Sequence, residues 1–256
     1  MNDQPRPFLS VVIPAYNEED RLLSTLQAVD NFLATKPYSS EVIVADDGST
    51  DSTPTLAGAY DMSAADYKVL ALAHRGKASA VRDGILSSIG QIVMFTDADL
   101  STPMIHLDKL LHALSEGADV AIGSREGEGS ERVGEPFYRH AMGRVFNALV
   151  RLIAVPGIND TQCGFKAFNA AVAHDLFCAA RLHTGQRHIT GPRVTGFDVE
   201  ILFLARKRGY DIVEIPVEWT HVPGSKVAPL GDSVRMFADV LRVRYNALRG
   251  RYDGTS

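Results

Sequence analysis

The stretch Gln91-Ile92-Val93-Met94-Phe95-Thr96-Asp97-Ala98-Asp99 runs from unbroken apolar side chains straight into two carboxylates. A run of this kind fits a strand buried on both faces, as in a parallel sheet covered by helices. Carboxylates at the end of such a strand are poorly solvated unless a cation or hydrogen-bond donors meet them. Asp97 and Asp99 therefore suit Mg²⁺ or Mn²⁺, hard ions that take a few carboxylates plus phosphate oxygens. An Asp-x-Asp standing alone is more often a solvated turn, so its neighbours have to decide.

Working outward, similar apolar runs recur at 9–14, 41–45, 68–73 and 118–123. Helical periodicity lies between them at 18–34, 52–60, 77–88 and 103–116, with Thr102 and Pro103 as a capping hydroxyl and first-turn proline. The alternation predicts an α/β fold with a Rossmann-like, mainly parallel central sheet, helices on both faces, and ligands at the carboxyl ends of the strands. Acidic residues gather at those ends: Pro14-Ala15-Tyr16-Asn17-Glu18-Glu19 after the first strand, Asp46-Asp47-Gly48-Ser49-Thr50-Asp51 after the second, and Asp97-Ala98-Asp99 after the fourth. Each motif also fits a local role, Asp46 to Ser49 as a turn plus helix cap for instance. Their order on successive strands points to one site.

Beyond Arg125 the pattern changes. Residues 126–135 read as a Gly- and Glu-rich loop, 136–153 as an amphipathic helix, 165–169 as a short strand, and 170–180 and 197–208 as helices. The segment 181–196 holds three arginines, two histidines and no acid. Residues 211–219 alternate like a strand, and 232–251 look like a final helix with five arginines. There Val234, Phe237, Leu241, Tyr245 and Leu248 recur at helical spacing. The expectation is that they pack on the core while the arginines face water, the alternative being a helix lying on a lipid surface. No repeat or linker appears, so a single domain over 1–256 is expected.

The 256 residues suffice for one well-buried core, with 45% hydrophobic and 22% charged residues. A net charge of −5 argues against a general nucleic-acid binder. Two cysteines, Cys163 and Cys178, make neither a disulfide framework nor a four-thiolate zinc site. No stretch approaches the roughly 20 apolar residues of a membrane span. Met1 to Pro7 lack the apolar core of a signal peptide. A cytoplasmic protein is expected, with possible peripheral contact at the cytoplasmic face of a membrane.

Taken together, the three strand-end motifs resemble the family 2 glycosyltransferases of GT-A fold. His74-Arg75-Gly76-Lys77, Gly123-Ser124-Arg125, Asp160-Thr161-Gln162-Cys163-Gly164-Phe165-Lys166, Gly196-Phe197-Asp198-Val199-Glu200 and Gly224-Ser225-Lys226 are similar to the dolichyl-phosphate β-glucosyltransferase group. The resemblance spans about Phe8 to Tyr252 and implies an inverting transfer of glucose from UDP-glucose to a dolichyl or polyprenyl phosphate. Mannose or another hexose, or a soluble acceptor, are the neighbouring alternatives. A non-catalytic nucleotide-sugar-binding protein is the alternative from another class. It further implies that 1–125 bind the nucleotide sugar and 126–256 the acceptor.

By matching motif, Pro14, Tyr16, Glu18 and Asp46 or Asp47 would hold base and ribose, with Ala98 among the donor contacts. Asp97 and Asp99 would bind metal and diphosphate, with His221 as a further metal ligand. Lys77 and Arg125 would face phosphates, Arg139 would join Arg125 on the acceptor, and Lys226 would close over the donor diphosphate. Asp198 takes the place of a catalytic base. A lipid phosphate is already anionic, so Asp198 would then orient the sugar instead. Several of these residues also fit plainer roles: Arg125 paired with Glu126 or Glu128, Lys77 or His221 merely solvated, Trp219 in the core. Cys163 is expected to be a small buried apolar residue.

Overall fold

Along β1 (Leu9–Ala15), Leu9, Val11 and Ile13 enter one core while Val12 enters the other, and all four are fully buried. This period of two with apolar residues on both sides defines a strand sandwiched between helical layers. Burying one such side chain is worth about 1.5–3 kcal/mol. The computed structural model describes residues 6–134, 137–182, 189, 195–222 and 229–253, the side chains of 137–142, 145 and 229–233 excepted.

Elements follow in the order α1 (Leu22–Leu33), β2 (Ser40–Asp46), α2 (Thr53–Ala59), β3 (Asp66–Ala71), α3 (Lys77–Leu86), β4 (Ile92–Thr96), α4 (Leu107–Ser115) and β5 (Val120–Ser124). The remainder comprises β6 (Glu131–Val133), α5 (Phe137–Ile153), β7 (Phe165–Asn169), α6 (Ala170–Ala179), α7 (Phe197–Lys207), β8 (Ile212–Pro216), β9 (Glu218–Thr220) and α8 (Pro229–Leu248). Seven strands form one sheet in the order β3-β2-β1-β4-β7-β5-β8, with β7 alone antiparallel to its neighbours. Helices α1, α2 and α4 cover one face. Helices α3, α5, α6, α7 and α8 contribute to the core on the other. The expected mainly parallel sheet with helices on both faces is what the chain adopts. Among the described residues, no helix is long and apolar enough to cross a membrane.

Four local expectations change. The first helix starts at Leu22, not near Glu18, because residues 17–19 are tied into the loop after β2: the Glu18 amide donates to Thr53 Oγ1 (2.7 Å) and the Thr50 amide to Asn17 Oδ1 (2.8 Å). Thr102 caps no helix; its hydroxyl lies 3.8 Å from Cys163 Sγ, and a 3₁₀ turn at Met104–His106 precedes α4. The Gly- and Glu-rich loop contains β6, which pairs in parallel with β9. The single strand expected over 211–219 divides at Val217, whose amide donates to Ser124 O while its carbonyl accepts from the Glu131 amide.

The largest correction concerns α8. Its buried row is Asp239, Val240, Val243 and Asn246. The stripe expected to pack inward is mostly outside: Val234 is 72% exposed, Leu241 48%, Tyr245 49% and Leu248 81%. Two polar side chains occupy the inner row because they find partners there. Asp239 accepts from the Gly196 amide (3.1 Å), and Asn246 reaches Arg251 (3.0 Å) and Tyr252 (3.4 Å).

Candidate active site

Parallel pairing brings the carboxyl ends of β1, β2 and β4 side by side, with Ala15 opposite Asp46. Pro14 is an internal residue of β1 and Tyr16 follows the strand. The Tyr16 ring stacks on His74 at 3.9 Å between centroids and 4° between planes. His74 Nδ1 lies 2.8 Å from Asp47 Oδ2, which also accepts from the Gly76 amide at 2.7 Å, while Oδ1 accepts from the Arg75 amide at 2.8 Å. Both Asp47 oxygens thus hold the turn that leads into α3. Of the two aspartates left open by the sequence, Asp46 is the one with fewer internal bonds, its Oδ1 accepting weakly from the Ser49 amide (3.4 Å). Burial raises the Asp46 pKa, against the opposing hydrogen bonds from Ser49. Glu18 pairs with Arg21 at 3.0 Å. Nothing in the His74-Arg75-Gly76-Lys77 motif signals this stacking of His74 on Tyr16, which only the fold creates.

The turn held by Asp47 sets Lys77 at the first position of α3, where a cation is disfavoured by the helix dipole. Gly84 on α3 lets that helix lie directly on Val12 of β1. Its ammonium pairs with Asp97 Oδ1 at the end of β4. Desolvation works to lower the Lys77 pKa, but Asp97, Asp198 and Asp99 outweigh it and the pKa is raised. Lys77 is therefore a fixed positive charge among three carboxylates.

Strand β7 supplies what the sequence reading missed. Antiparallel pairing sets Phe165 opposite Thr96, so Gly164 faces Asp97. A Cβ on Gly164 would lie 2.5 Å from Asp97 Cγ and 2.6 Å from Oδ1. The glycine is there to leave room for the carboxylate. Two residues on, the fully buried Lys166 donates to Asp198 Oδ1 at 2.6 Å and also reaches the Cys163 carbonyl. Asp198 sits in the first turn of α7. A buried charge without its partner would be costly, so each of these two requires the other. A lysine in a motif gives no sign of being buried, so only the fold reveals the pairing of Lys166.

Arg125, just past β5, grips the fully buried Asp160 with Nε (2.7 Å), Nη2 (2.8 Å) and its own amide (2.9 Å). Burial alone would raise the Asp160 pKa; Arg125 reverses this and holds it well below the usual carboxylate range. Glu126 pairs with Arg132 at 2.7 Å. The Arg125 guanidinium lies 5.5 Å from the centre of the Trp219 ring, and Trp219 is half-buried on β9, not in the core. Cys163 is buried as expected, and burial pushes its thiol up to about 11.

Asp99 Oδ1 accepts from the Ser101 amide at 3.0 Å, and Ala98 is buried with its carbonyl accepting from Thr25 (2.6 Å). Among the described residues, no group of three or more His, Cys, Asp or Glu gathers as a metal shell. His221 follows β9, where its amide is spent on Val133 O (2.8 Å) and its ring faces Trp219. The side chain of Arg139 and the whole of Lys226, like most of 181–196, lie outside the described residues.

The Glycosyl transferase family 2 model matches residues 10–177. The chain is 37% identical to the dolichyl-phosphate beta-glucosyltransferase of Drosophila melanogaster, covering 98% of this chain and 79% of that one. It is 36% identical to that of Saccharomyces cerevisiae, covering 98% and 78%. Among solved structures, glucosyl-3-phosphoglycerate synthase from Mycobacterium tuberculosis, in complex with Mn²⁺, UDP-glucose and phosphoglyceric acid, aligns with a TM-score of 0.60. That match has 18% identity over 98% of this chain and 81% of the synthase, a likeness of fold.

Proposed function

We propose, from the premise that this chain belongs to glycosyl transferase family 2 and is a glycosyltransferase, that it moves glucose from UDP-glucose to a dolichyl or polyprenyl phosphate with inversion. The donor would lie over the ends of β1, β2 and β4, with Pro14, Tyr16, Glu18 and Asp46 on base and ribose. Residues 1–125 would hold the donor and 126–256 the acceptor. The relatives' activity supports glucose and the lipid phosphate.

The observation that carries this reading is the buried Lys166–Asp198 pair beside Lys77 and Asp97. A carboxylate locked to an ammonium is poorly placed to pull a proton from a sugar hydroxyl, but well placed to orient one. An acceptor phosphate brings its own negative charge and needs no base. A phosphate oxygen would attack the anomeric carbon from the face opposite the diphosphate. As the new C–O bond forms, the bond to UDP breaks and its electron pair leaves on the diphosphate, turning the α-linked donor into a β-linked product. Lys77, already positive among carboxylates, would meet the charge developing there. Arg125 and Arg139 would hold the acceptor phosphate, and Lys226 would cover the donor.

Asp97 and Asp99 fit a divalent ion by their chemistry, two hard oxygen donors at one strand end, and Gly164 leaves room for the Asp97 carboxylate. Such an ion, Mg²⁺ or Mn²⁺, would neutralise charge on the leaving diphosphate. Further ligands would come from phosphate oxygens of the substrate.

The test is to incubate the purified protein with a divalent ion, labelled UDP-glucose and a short polyprenyl phosphate, and follow label into the organic phase. Transfer that stops with EDTA and in Asp99→Asn, and that UDP-glucose supports better than GDP-mannose, is expected. Binding of UDP-glucose with no transfer to lipid would overturn the acceptor, and full activity in Asp99→Asn would overturn the metal site.

A further inference from the structure

Helices α5 and α8 pack side by side, and residues 137–153 with 229–251 carry eight arginines against two aspartates in a chain whose net charge is −5. One of those aspartates, Asp239, is buried and bonded to Gly196 and Arg242. The outer side of α8 presents Val234, Leu241, Tyr245 and Leu248, spaced by seven, four and three residues so that they line one stripe. Arg235, Arg242, Arg244 and Arg249 are exposed around it. On α5, Leu152 is 82% exposed next to exposed Arg151. A surface that mixes large apolar side chains with arginines and, among the described residues 234–251, has Asp239 buried as its one acid is unlike an ordinary wet helix face.

We propose that this α5–α8 surface docks on an anionic lipid bilayer, with the leucines and Tyr245 entering the headgroup boundary and the arginines meeting lipid phosphates. Charge decides between occupants. A second copy applied face to face would set arginines against arginines, whereas an anionic leaflet complements both the charge and the apolar stripe. Position supports it too. Asp239 on the inner side of α8 bonds the Gly196 amide, two residues before Asp198, so the docking helix is braced against the turn that carries the site. In its link to catalysis the proposal rests on the lipid-phosphate reading above: docking would present an acceptor headgroup at the level of the site. The docking itself stands on the surface alone.

The experiment is flotation of the full chain with phosphatidylcholine vesicles, with and without phosphatidylserine, beside sedimentation analysis of its oligomeric state. The wild type is expected to float with the anionic vesicles and not the neutral ones, and to be released by high salt. Val234→Glu with Leu248→Glu, both at exposed positions, is expected to weaken that binding at least about tenfold. Leu23→Glu, at an exposed position of α1 on the opposite face of the sheet, is expected to leave it unchanged. Equal binding of wild type and double variant, or no preference for anionic lipid, overturns the proposal. So does a wild-type dimer that the double variant dissolves while vesicle binding is absent. Transfer to a short-chain acceptor free in solution separates the two ideas. The double variant should retain it if both hold, and wild type that floats but transfers nothing would sink the acceptor reading and leave the docking surface standing.

Discussion

Replacing Gly164 with alanine isolates the role of Asp97 with a single methyl group. The added Cβ would lie 2.5 Å from Asp97 Cγ and 2.6 Å from Oδ1, where ordinary contacts begin at 3.4 Å. Relief requires the carboxylate to move by about 1 Å, since dense packing leaves little slack in the strands. The short Asp97 side chain, 34% exposed, can swing toward solvent, so the sheet survives while the Lys77–Asp97 pair and the ligand side of Asp97 are displaced. A misplacement of about 1 Å in a catalytic group costs on the order of a hundredfold in rate, or about 2.7 kcal/mol of barrier. The overpacking itself should cost about 1–3 kcal/mol of stability. We expect kcat/KM for UDP-glucose to fall about a hundredfold in Gly164→Ala while the circular dichroism spectrum stays that of the wild type. Wild-type kinetics in this variant would refute the placement of Gly164 against Asp97 and the importance of that carboxylate together.

Lys166→Met should strand the buried Asp198 carboxylate and cost about 3–5 kcal/mol, read as a fall in Tm of about 10 °C. Adding Asp198→Asn should restore most of the stability but not the transfer activity, and additive losses would show that the two residues do not act as a pair. Asp46 gives a pH prediction. Burial raises its pKa in the folded state, so its contribution to stability is present below the unfolded value of about 3.9 and lost as pH rises through the folded value. Asp46→Asn should therefore raise Tm near neutral pH, with the gain fading toward pH of about 4. Thermal melts across pH check this, and UDP-glucose binding weakened by the same substitution would show that the carboxylate is kept for its ligand.

The strands and the acidic clusters at their ends were legible because they rest on local pattern. The apolar runs of β1, β2 and β4 specify burial on both faces, and a polar residue directly after such a run falls at the sheet's edge. The order of Tyr16, Asp46, Asp47, Asp97 and Asp99 along the chain is therefore close to a map of the carboxyl end of the sheet. The family resemblance covered the rest of the motifs but could not say what their side chains touch.

Those contacts came from pairings that no local period encodes. β7 enters antiparallel between β4 and β5, and that single topological choice sets Gly164 against Asp97 and Lys166 beneath Asp198. Likewise β6 and β9 are too short to stand out in a sequence and exist because Val217 bridges their loops. Helical spacing correctly marked 232–251 as amphipathic, but amphipathicity does not say which row meets the core. In α8 the inner row goes to Val240 and Val243 with Asp239 and Asn246, because partners in the turn before α7 and in the C-terminal turn satisfy the two polar groups there. The sequence by itself determined the sheet, its helical cover and the acidic strand ends, since those follow from hydrophobic period and the cost of burying charge. Only the tertiary structure decided which charges pair and which apolar row stays outside, since both depend on what distant segments bring to the same place.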